Sequence, residues 1–249
     1  IKNYKDKLFF YQDMALGIAS INERSIITDQ SGQQAVLGTG GIFPDYQYLS
    51  TITGGYHQFA VVETENGLYH YDARLRKLFK TGQGVQPISD MKGMSSFFDN
   101  KITGSINKED FTLRTIDGGP TGVHGEADYR YNRVLYTFLM PYFEITGNQT
   151  FIAGNIILDN GIYYIVNSDF NYTTTQPNLS LYDITALTDY QPRYTISYNE
   201  VIDAFESFYS YLPGIYLQYG RRLLSVNPNA SNEVHIHNEG NFCEFYNQS

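Results

Sequence analysis

The stretch HQFAVVETENGLYHYDARLRKLFK, residues 57–80, decides the fold class. It contains a strand-like run, the pair Asn66-Gly67, an alternating run, a charged loop and a further strand-like run at residues 77–80. An Asn-Gly pair between two strand-like runs is the strongest short hairpin signal, because both residues tolerate positive φ. The stretch therefore predicts antiparallel strands, with Tyr69 and Tyr71 on one face and Leu68 and His70 on the other.

Related units recur further along the chain. They lie at residues 160–166 with 181–183, 194–199 with 204–209, 214–219 with 223–226, and 233–237. Aligning Tyr71-Asp72 with Tyr198-Asn199 brings Phe79 beside Phe205, one residue out of step. A candidate helix at 199–208 is better explained as a turn and a strand. Short strands with frequent turns predict an all-β fold, and the recurring aromatic unit favours a β-propeller-like array of antiparallel, aromatic-rich hairpins.

Composition agrees with this prediction. The chain has 23 Tyr and 16 Phe, and 42% of its residues are hydrophobic, enough to bury a core. Residues 1–249 show no internal boundary and are interpreted as one propeller-type region. Because Ile1 stands where an initiator Met would, we expect a piece of a longer chain. No apolar run approaches the ~20 residues that span a bilayer, so we expect no membrane insertion.

The excess of acidic over basic residues limits the partners that the chain is expected to bind. The chain has 17 basic and 26 acidic residues, a formal net charge of −9. A nucleic-acid binder usually carries a basic patch, because phosphate neutralisation supplies most of its affinity. The basic residues cluster only around Arg74 to Lys77 and at Arg221-Arg222, both interpreted as solvated turn charges. Tight binding of nucleic acid is therefore not expected. Cys243 is the single cysteine, so the chain has no disulfide framework of its own.

Two patterns in the sequence are of the kind that can bind a ligand. The run Gly38–Gly41 follows a strand-like segment, but no helix or Lys-Ser/Thr pair follows it, which favours a tight turn over a phosphate loop. Glu233, His235 and His237 alternate, so they share one face of a predicted strand and offer half of a zinc or iron site. An exposed strand face needs polar residues in any case, so no metal or cofactor is assigned.

A catalytic set could in principle be drawn from five acidic and imidazole side chains: His57, Asp72, Asp90, His124 and Glu126. No nucleophile elbow, carboxylate pair or metal triad places them at a meaningful spacing. His124-Gly125-Glu126 follows a Gly-Pro-Thr-Gly turn and is predicted to be the most loop-like and exposed of them. The sequence therefore predicts no enzyme and no catalytic residue.

An ordered series of segments resembles a known family. It runs from Ile21 to Ile27, from Val36 to Gly41, from Ser50 to Phe59, from Gly67 to Asp72 and from Ile88 to Met94, and a second part runs from Phe205 to Pro213. Together these segments resemble the tail-nozzle proteins of short-tailed bacteriophages, also called tail-stabilisation or muzzle proteins. The similarity is strongest to those of crAss-like phages, and it covers most of residues 8–98 and 194–249.

The resemblance implies a role. It implies a β-propeller, present as six copies that ring the distal end of the virion tail, contact other tail proteins, and let DNA pass without tight binding. Acidic side chains facing such a channel would repel phosphate. The family has no catalytic residues to carry over. The alternative from the residues alone is a carbohydrate-binding propeller, in which Tyr-rich loops stack on sugar rings.

Overall fold

The computed structural model describes residues 1–19, 25–28, 32–37, 45–102, 115–116, 119–120, 122–175, 178–227 and 230–240. Strands dominate this part of the chain, and all but one of the strand pairings within it are antiparallel. The all-β prediction is confirmed. None of the helices within these ranges is long and apolar enough to cross a membrane. Cys243 lies outside the described residues.

Four sheets follow one another along the chain. Sheet I contains β1 (Lys2–Tyr4), β2 (Lys7–Tyr11), β3 (Leu16–Ala19) and β6 (Tyr46–Ser50), with the hairpin β4 (Ser25–Thr28) and β5 (Gln34–Leu37) between its last two strands. Sheet II contains β7 (Val61–Thr64), β8 (Gly67–Asp72), β9 (Lys77–Thr81) and β10 (Val85–Pro87). After the pair β11 (Thr115–Ile116) and β12 (Gly119–Pro120), sheet III contains β13 (Gly122–Asp128), β14 (Arg133–Leu139), β21 (Arg193–Asn199) and β22 (Ala204–Tyr209). Sheet IV contains β23 (Ile215–Tyr219), β24 (Arg222–Asn227) and β25 (Ala230–Ile236).

An insertion separates the second and third strands of sheet III. It contains β15 (Phe143–Glu144), β16 (Gln149–Phe151), β17 (Ile156–Asp159), β18 (Ile162–Val166), β19 (Phe170–Tyr172) and β20 (Ile184–Ala186). Strands β15, β17, β18 and β20 form one small sheet, in which β15 and β17 are parallel, and β16 pairs with β19. The insertion has an aromatic core of its own around Phe151 and Tyr172.

Two short helices lie where the sequence analysis assigned none. They are α1 (Ile88–Met91) and α2 (Ser95–Lys101), and single 3-10 turns lie at Gln58–Ala60 and Leu179–Leu181. Helix α2 is held by packing, since the buried ring of Phe98 lies 5.9 Å from that of Tyr71 and 5.7 Å from that of Phe138. Seven residues are too few for a stable isolated helix, so tertiary contacts decide its conformation.

The four sheets stack face to face in chain order. Leu68 of sheet II packs with Tyr4, Phe9 and Leu16 of sheet I. On the opposite face of sheet II, Tyr69 and Tyr71 pack into the main core with sheet III, as the strand pattern predicted. Strand β14 alternates in the same way, because Val134, Tyr136 and Phe138 belong to that core. Leu135 instead packs against Tyr211, Tyr216 and Leu223 on the side of sheet IV.

The predicted hairpin between β7 and β8 is present, but its turn lies one residue earlier than the Asn66-Gly67 pair indicated, because Thr64 pairs with Gly67 and the turn residues are Glu65 and Asn66. Gly67 begins β8 with φ of 159°, and Asn66 does not have a positive φ. In the β17–β18 hairpin, Asn160 and Gly161 have φ of 49° and 79°, the positive values that a type I′ turn needs. Gly220, with φ of 60°, connects β23 to β24. The predicted turn and strand at 199–208 is confirmed, as β21 ends at Asn199 and β22 begins at Ala204.

The one-residue offset between the two best repeats has a structural consequence. Phe79 pairs with His70, whereas Phe205 pairs with Tyr198 beside a bulge. A shift of one residue moves a strand side chain to the other face. Phe205 therefore packs against the main core, whereas Phe79 stacks on His70 at 5.2 Å on the face toward sheet I. The sheets in the described ranges form an open row and do not close into a propeller.

Candidate functional site

One carboxylate fastens each of the three junctions between neighbouring sheets. The three residues are Asp72 at the junction of sheets I and II, Glu200 at that of II and III, and Asp128 at that of III and IV. We call them the junction carboxylates. Each accepts hydrogen bonds from residues on the other side of its junction, so each ties two sheets together.

Asp72 ends strand β8 and is fully buried. Its Oδ2 accepts hydrogen bonds from the hydroxyl of Thr53 at 3.0 Å and the backbone N–H of Gly54 at 3.1 Å, both on the segment that leaves sheet I. Its Oδ1 accepts the backbone N–H groups of Arg74 and Leu75, each at 3.0 Å. The Thr53 hydroxyl also shares a hydrogen bond of 3.1 Å with His70 Nε2. The junction is therefore closed by a buried polar network.

Glu200 lies in the turn between β21 and β22. It accepts hydrogen bonds from three side chains of sheet II and its hairpin, Thr64 at 2.7 Å, Tyr69 at 2.8 Å and Asn66 at 3.2 Å. The pKa of the Tyr69 phenol is raised, first by burial and then by the hydrogen bond to Glu200. The phenol thus stays protonated and donates to the carboxylate.

Asp128 ends strand β13 with its side chain 1% exposed. It accepts Arg133 Nε at 2.9 Å within sheet III, and it accepts the side-chain amide of Asn238, which follows β25, at 3.2 Å. Arg130 donates to the Asn238 carbonyl at 2.5 Å. Deeper in the same junction, Thr137 shares a hydrogen bond of 2.9 Å with the Tyr216 hydroxyl. The junction of sheets III and IV is thus also closed by polar groups.

The junction carboxylates share a local pattern that the sequence already carried. Asp72 and Asp128 each accept the N–H of the arginine two residues later, and Asn199, beside Glu200, accepts that of Val201 at 2.9 Å. An Asx turn at a strand end satisfies backbone donors locally. The repeated Asp-x-Arg was the signal for Asp128, which the sequence reasoning missed. Nothing local identified Glu200 as a junction carboxylate or Thr53 as the partner of Asp72.

The five side chains from which a catalytic set could be drawn do not lie together in the structure. His57 and Asp72 lie near the junction of sheets I and II, and Asp90 lies at α1, where it pairs with Lys77 and accepts Ser95 at 2.9 Å. The expectation that His124-Gly125-Glu126 forms an exposed loop is wrong. These residues lie within β13, and His124 is buried against the Tyr216 ring because it points into the junction with sheet IV.

The metal candidates lie at the end of sheet IV. Glu233 Oε2 is 3.3 Å from His235 Nε2, whereas His237 follows the strand, is buried, and shares a 2.6 Å hydrogen bond with Ser225. Across the described ranges, no group of three or more His, Cys, Asp or Glu side chains is placed to hold a metal ion. The segment Gly38–Gly41 lies outside the described residues.

Burial holds four histidines neutral. It lowers the pKa of His57 and His237 to about 4, and that of His70 and His124 to about 3. An unfolded histidine takes up its proton near pH 6.5. Between pH 6.5 and about 4 the unfolded chain therefore binds more protons than the folded chain, and stability falls as the pH falls. Each such histidine steepens this fall by about 1.4 kcal/mol per pH unit.

His124 offers the cleanest test of this linkage. Both of its ring nitrogens are buried without a hydrogen-bond partner among the described residues. We expect His124→Phe to keep the packing against Tyr216 and to remove one protonation from the unfolding equilibrium. Between pH 6.5 and pH 5, its loss of unfolding free energy should be about 2 kcal/mol smaller than that of the parent chain. Urea titrations followed by tyrosine fluorescence measure both losses, and equal losses would contradict the assignment.

The fold and the junctions define a class of protein. It is an all-β chain whose sheets stack in a row and are tied to one another by the junction carboxylates. A family model described as crassvirus muzzle protein matches residues 1–229 of the 249. The chain belongs to this family, which confirms the resemblance, and it is a structural component of the virion tail. A search of curated proteins found no match.

Proposed function

We propose that this chain builds part of the nozzle ring at the distal end of the tail, through which DNA leaves. In this role it acts as a structural protein without catalytic activity, in a ring of six copies joined to other tail proteins. The observation that carries the proposal is the row of four fastened sheets within a muzzle-family chain. Such a row supplies a stiff wall, which a channel under pressure requires.

The same row supports a propeller as the complete architecture. Strands β7, β13 and β23 are the first strands of sheets II, III and IV, and β13 lies next to both of the others. In a propeller, sheets of four strands surround a central channel. First strands that lie side by side fit the inner edge of such blades. We therefore propose that sheets I to IV are consecutive blades of a larger propeller.

The side where the first strands meet is rich in acidic groups. Glu63 lies on β7 and Glu126 on β13. The pKa of Tyr129, beside them, is raised by burial and then by Glu126, Glu63, Glu65 and Glu200. Two basic groups lie near this surface. Lys2 lowers the pKa of Glu126, which burial raises, and the Arg221 guanidinium lies over the Tyr129 ring. A surface with this excess of negative charge repels phosphate, which suits a wall that DNA must pass.

DNA retention tests this electrostatic role. We expect the parent chain to leave double-stranded DNA unshifted in electrophoresis at 50 mM salt. Glu63→Lys with Glu65→Lys, both at exposed positions, should produce binding that is lost at about 200 mM salt, because the added contacts are to phosphate. The matched control is Glu144→Lys with Glu206→Lys, which makes the same charge change at exposed positions elsewhere. Equal DNA binding by both pairs of variants would show that net charge alone controls DNA binding, which would contradict a specific role for the surface around Glu63.

Imaging the virion tests the proposed place of the chain. Virions labelled with an antibody against this chain should show label at the distal end of the tail, and an averaged tail reconstruction should show six-fold density there that accommodates sheets I to IV. Label confined to the head or to lateral fibres would overturn the proposal. A hydrolase assay on common polymer substrates checks the non-catalytic role, with no turnover expected.

The carbohydrate-binding alternative has a specific surface to test. Phe10, Tyr46 and Tyr48 form an aromatic group on sheet I, in which Tyr46 and Tyr48 are exposed. Their rings contact one another edge to face at 5.7–6.2 Å, so they partly cover one another and offer no row of parallel ring faces for sugars. This packing favours a protein partner over a sugar. A glycan array probed with the purified chain tests this, and binding to a glycan would support the carbohydrate-binding alternative.

A further inference from the structure

A cleft opens between sheets I and II, at the end of the junction where three hairpin turns lie. Its volume is about 610 Å³. The face of sheet I that turns toward sheet II forms one wall, and strands β9 and β10 of sheet II form the other. The turns between β1 and β2, between β7 and β8, and between β9 and β10 contribute to its lining. We call this space the junction cleft.

Sheet I supplies a largely apolar wall. Phe9 pairs with Ile18, and Tyr4 pairs with Lys7, so these four side chains share the face that turns toward sheet II. Leu49 of β6 lines the cleft beside them. An apolar ligand surface placed against this wall would leave water, which favours binding.

The wall on sheet II explains why space remains between the two sheets. Elsewhere in the same junction the ring of Phe79 stacks on His70 at 5.2 Å. Two residues further along β9 the side chain on this face is that of Thr81, which pairs with Val85 of β10. The turn that joins the two strands, residues 82–84, contains two glycines and also lines the cleft. These side chains are much smaller than a phenylalanine ring, so the cleft stays open.

The junction cleft also carries polar groups that can meet a ligand. Lys5 and Lys7 both line it, and neither forms an ion pair with another described residue. The Lys5 ammonium lies 5.0 Å from the centre of the Tyr4 ring. Against these two cations the described lining holds one acidic residue, Glu65. Thr81 is 3% exposed, and its hydroxyl has no hydrogen-bond partner among the described residues. The cleft is therefore locally basic in a chain whose formal net charge is −9.

Size and lining together define the class of ligand. Sites for small molecules are typically clefts of roughly 300–1,000 Å³, lined by apolar and aromatic side chains with a few polar groups. We infer that the junction cleft binds a small organic anion with an apolar body. The body lies against Phe9, Ile18 and Leu49, and its carboxylate or sulfonate lies near Lys5 and Lys7. Binding here is separate from the proposed role in the tail, which does not require it.

A pair of ligands with the same rings and opposite charges tests the selection of an anion. The probe is naphthalene-2-sulfonate, its counterpart is 2-naphthylmethylammonium, and titration calorimetry measures both affinities. We expect the parent chain to bind the sulfonate at least about fivefold more tightly, because the two lysines favour the negative charge. A chain with a net negative charge would otherwise attract the ammonium. Equal affinities, or tighter binding of the ammonium, would overturn the inference.

Filling the cleft locates the site. Val85→Trp places a large ring between the two walls and should abolish binding of the sulfonate. The matched control is Val234→Trp, at a position 54% exposed on sheet IV, which should bind like the parent chain. If the thermal midpoint shows that Val85→Trp does not fold, Leu49→Trp on the opposite wall replaces it. Unchanged binding by a folded, filled variant would place the probe elsewhere and refute the site.

Removal of the two cations tests their role. Lys5→Gln with Lys7→Gln should weaken binding of the sulfonate by about fivefold or more and should not weaken binding of the ammonium. The matched control is Arg221→Gln with Arg222→Gln, which removes the same charge from exposed positions on sheet IV. This control should keep the parent's preference for the sulfonate. Equal losses in the two pairs would show that net charge alone attracts the probe and would contradict a built anion site.

Discussion

Replacement of Asp72 by alanine is expected to destabilise the chain by about 3–5 kcal/mol, a large share of the roughly 5–15 kcal/mol that holds a domain folded. The buried carboxylate accepts four hydrogen bonds, two from the Arg74 and Leu75 amides of its own turn and two from Thr53 and Gly54 across the junction. Alanine leaves the Thr53 hydroxyl and the Gly54 amide without this acceptor, and each unsatisfied buried donor costs about 1–3 kcal/mol. Because sheet I is joined to sheet II through these bonds, its strands should lose protection from hydrogen exchange first.

Two controls separate this effect from the loss of a charge. Asp72→Asn keeps one acceptor oxygen and the shape of the side chain, so it should lose less stability than the alanine variant. Asp45→Ala removes an exposed aspartate that accepts the neighbouring Tyr46 amide, and it should change the free energy of unfolding by less than about 0.5 kcal/mol. Urea unfolding followed by the fluorescence of the 23 tyrosines measures all three variants. A loss below about 1 kcal/mol for Asp72→Ala would refute a fastening role.

Replacement of Phe138 by alanine should destabilise the chain by about 3–5 kcal/mol. The Phe138 ring is fully buried and meets Tyr71 at 4.9 Å, Phe98 at 5.7 Å and Tyr136 at 6.3 Å. It thereby joins sheet II, helix α2 and sheet III at one point. Truncation loses the transfer energy of the ring and leaves a cavity among aromatic side chains that are too rigid to fill it.

The size of the cavity can be checked with two further variants. Phe138→Leu keeps most of the volume and should cost less than about 1.5 kcal/mol. Phe208→Ala removes a ring of the same type that is 59% exposed on β22, and its effect should be well below that of Phe138→Ala. Similar losses at Phe138 and Phe208 would contradict the view that the rings of the main core carry the stability.

Local sequence patterns predicted most of the strands. The alternation of Tyr69 and Tyr71 with Leu68 and His70 was enough to assign two faces, because side chains in a strand alternate with a period of two. Asn160-Gly161 was enough to place a hairpin, because few other pairs accept positive φ twice. Helix α2 was missed because its Phe97-Phe98 pair is held by rings distant in sequence, including Tyr194 and Phe138.

By itself the sequence determined the all-β class, the hairpins, the acidic balance and the family. The tertiary structure decided which carboxylates fasten the sheets and where the four histidines are buried. The difference has a physical cause. Strand periodicity and turn geometry depend on neighbouring residues, whereas the bond between Asp128 and Asn238 joins positions 110 residues apart. Only the packed row of sheets brings such pairs together.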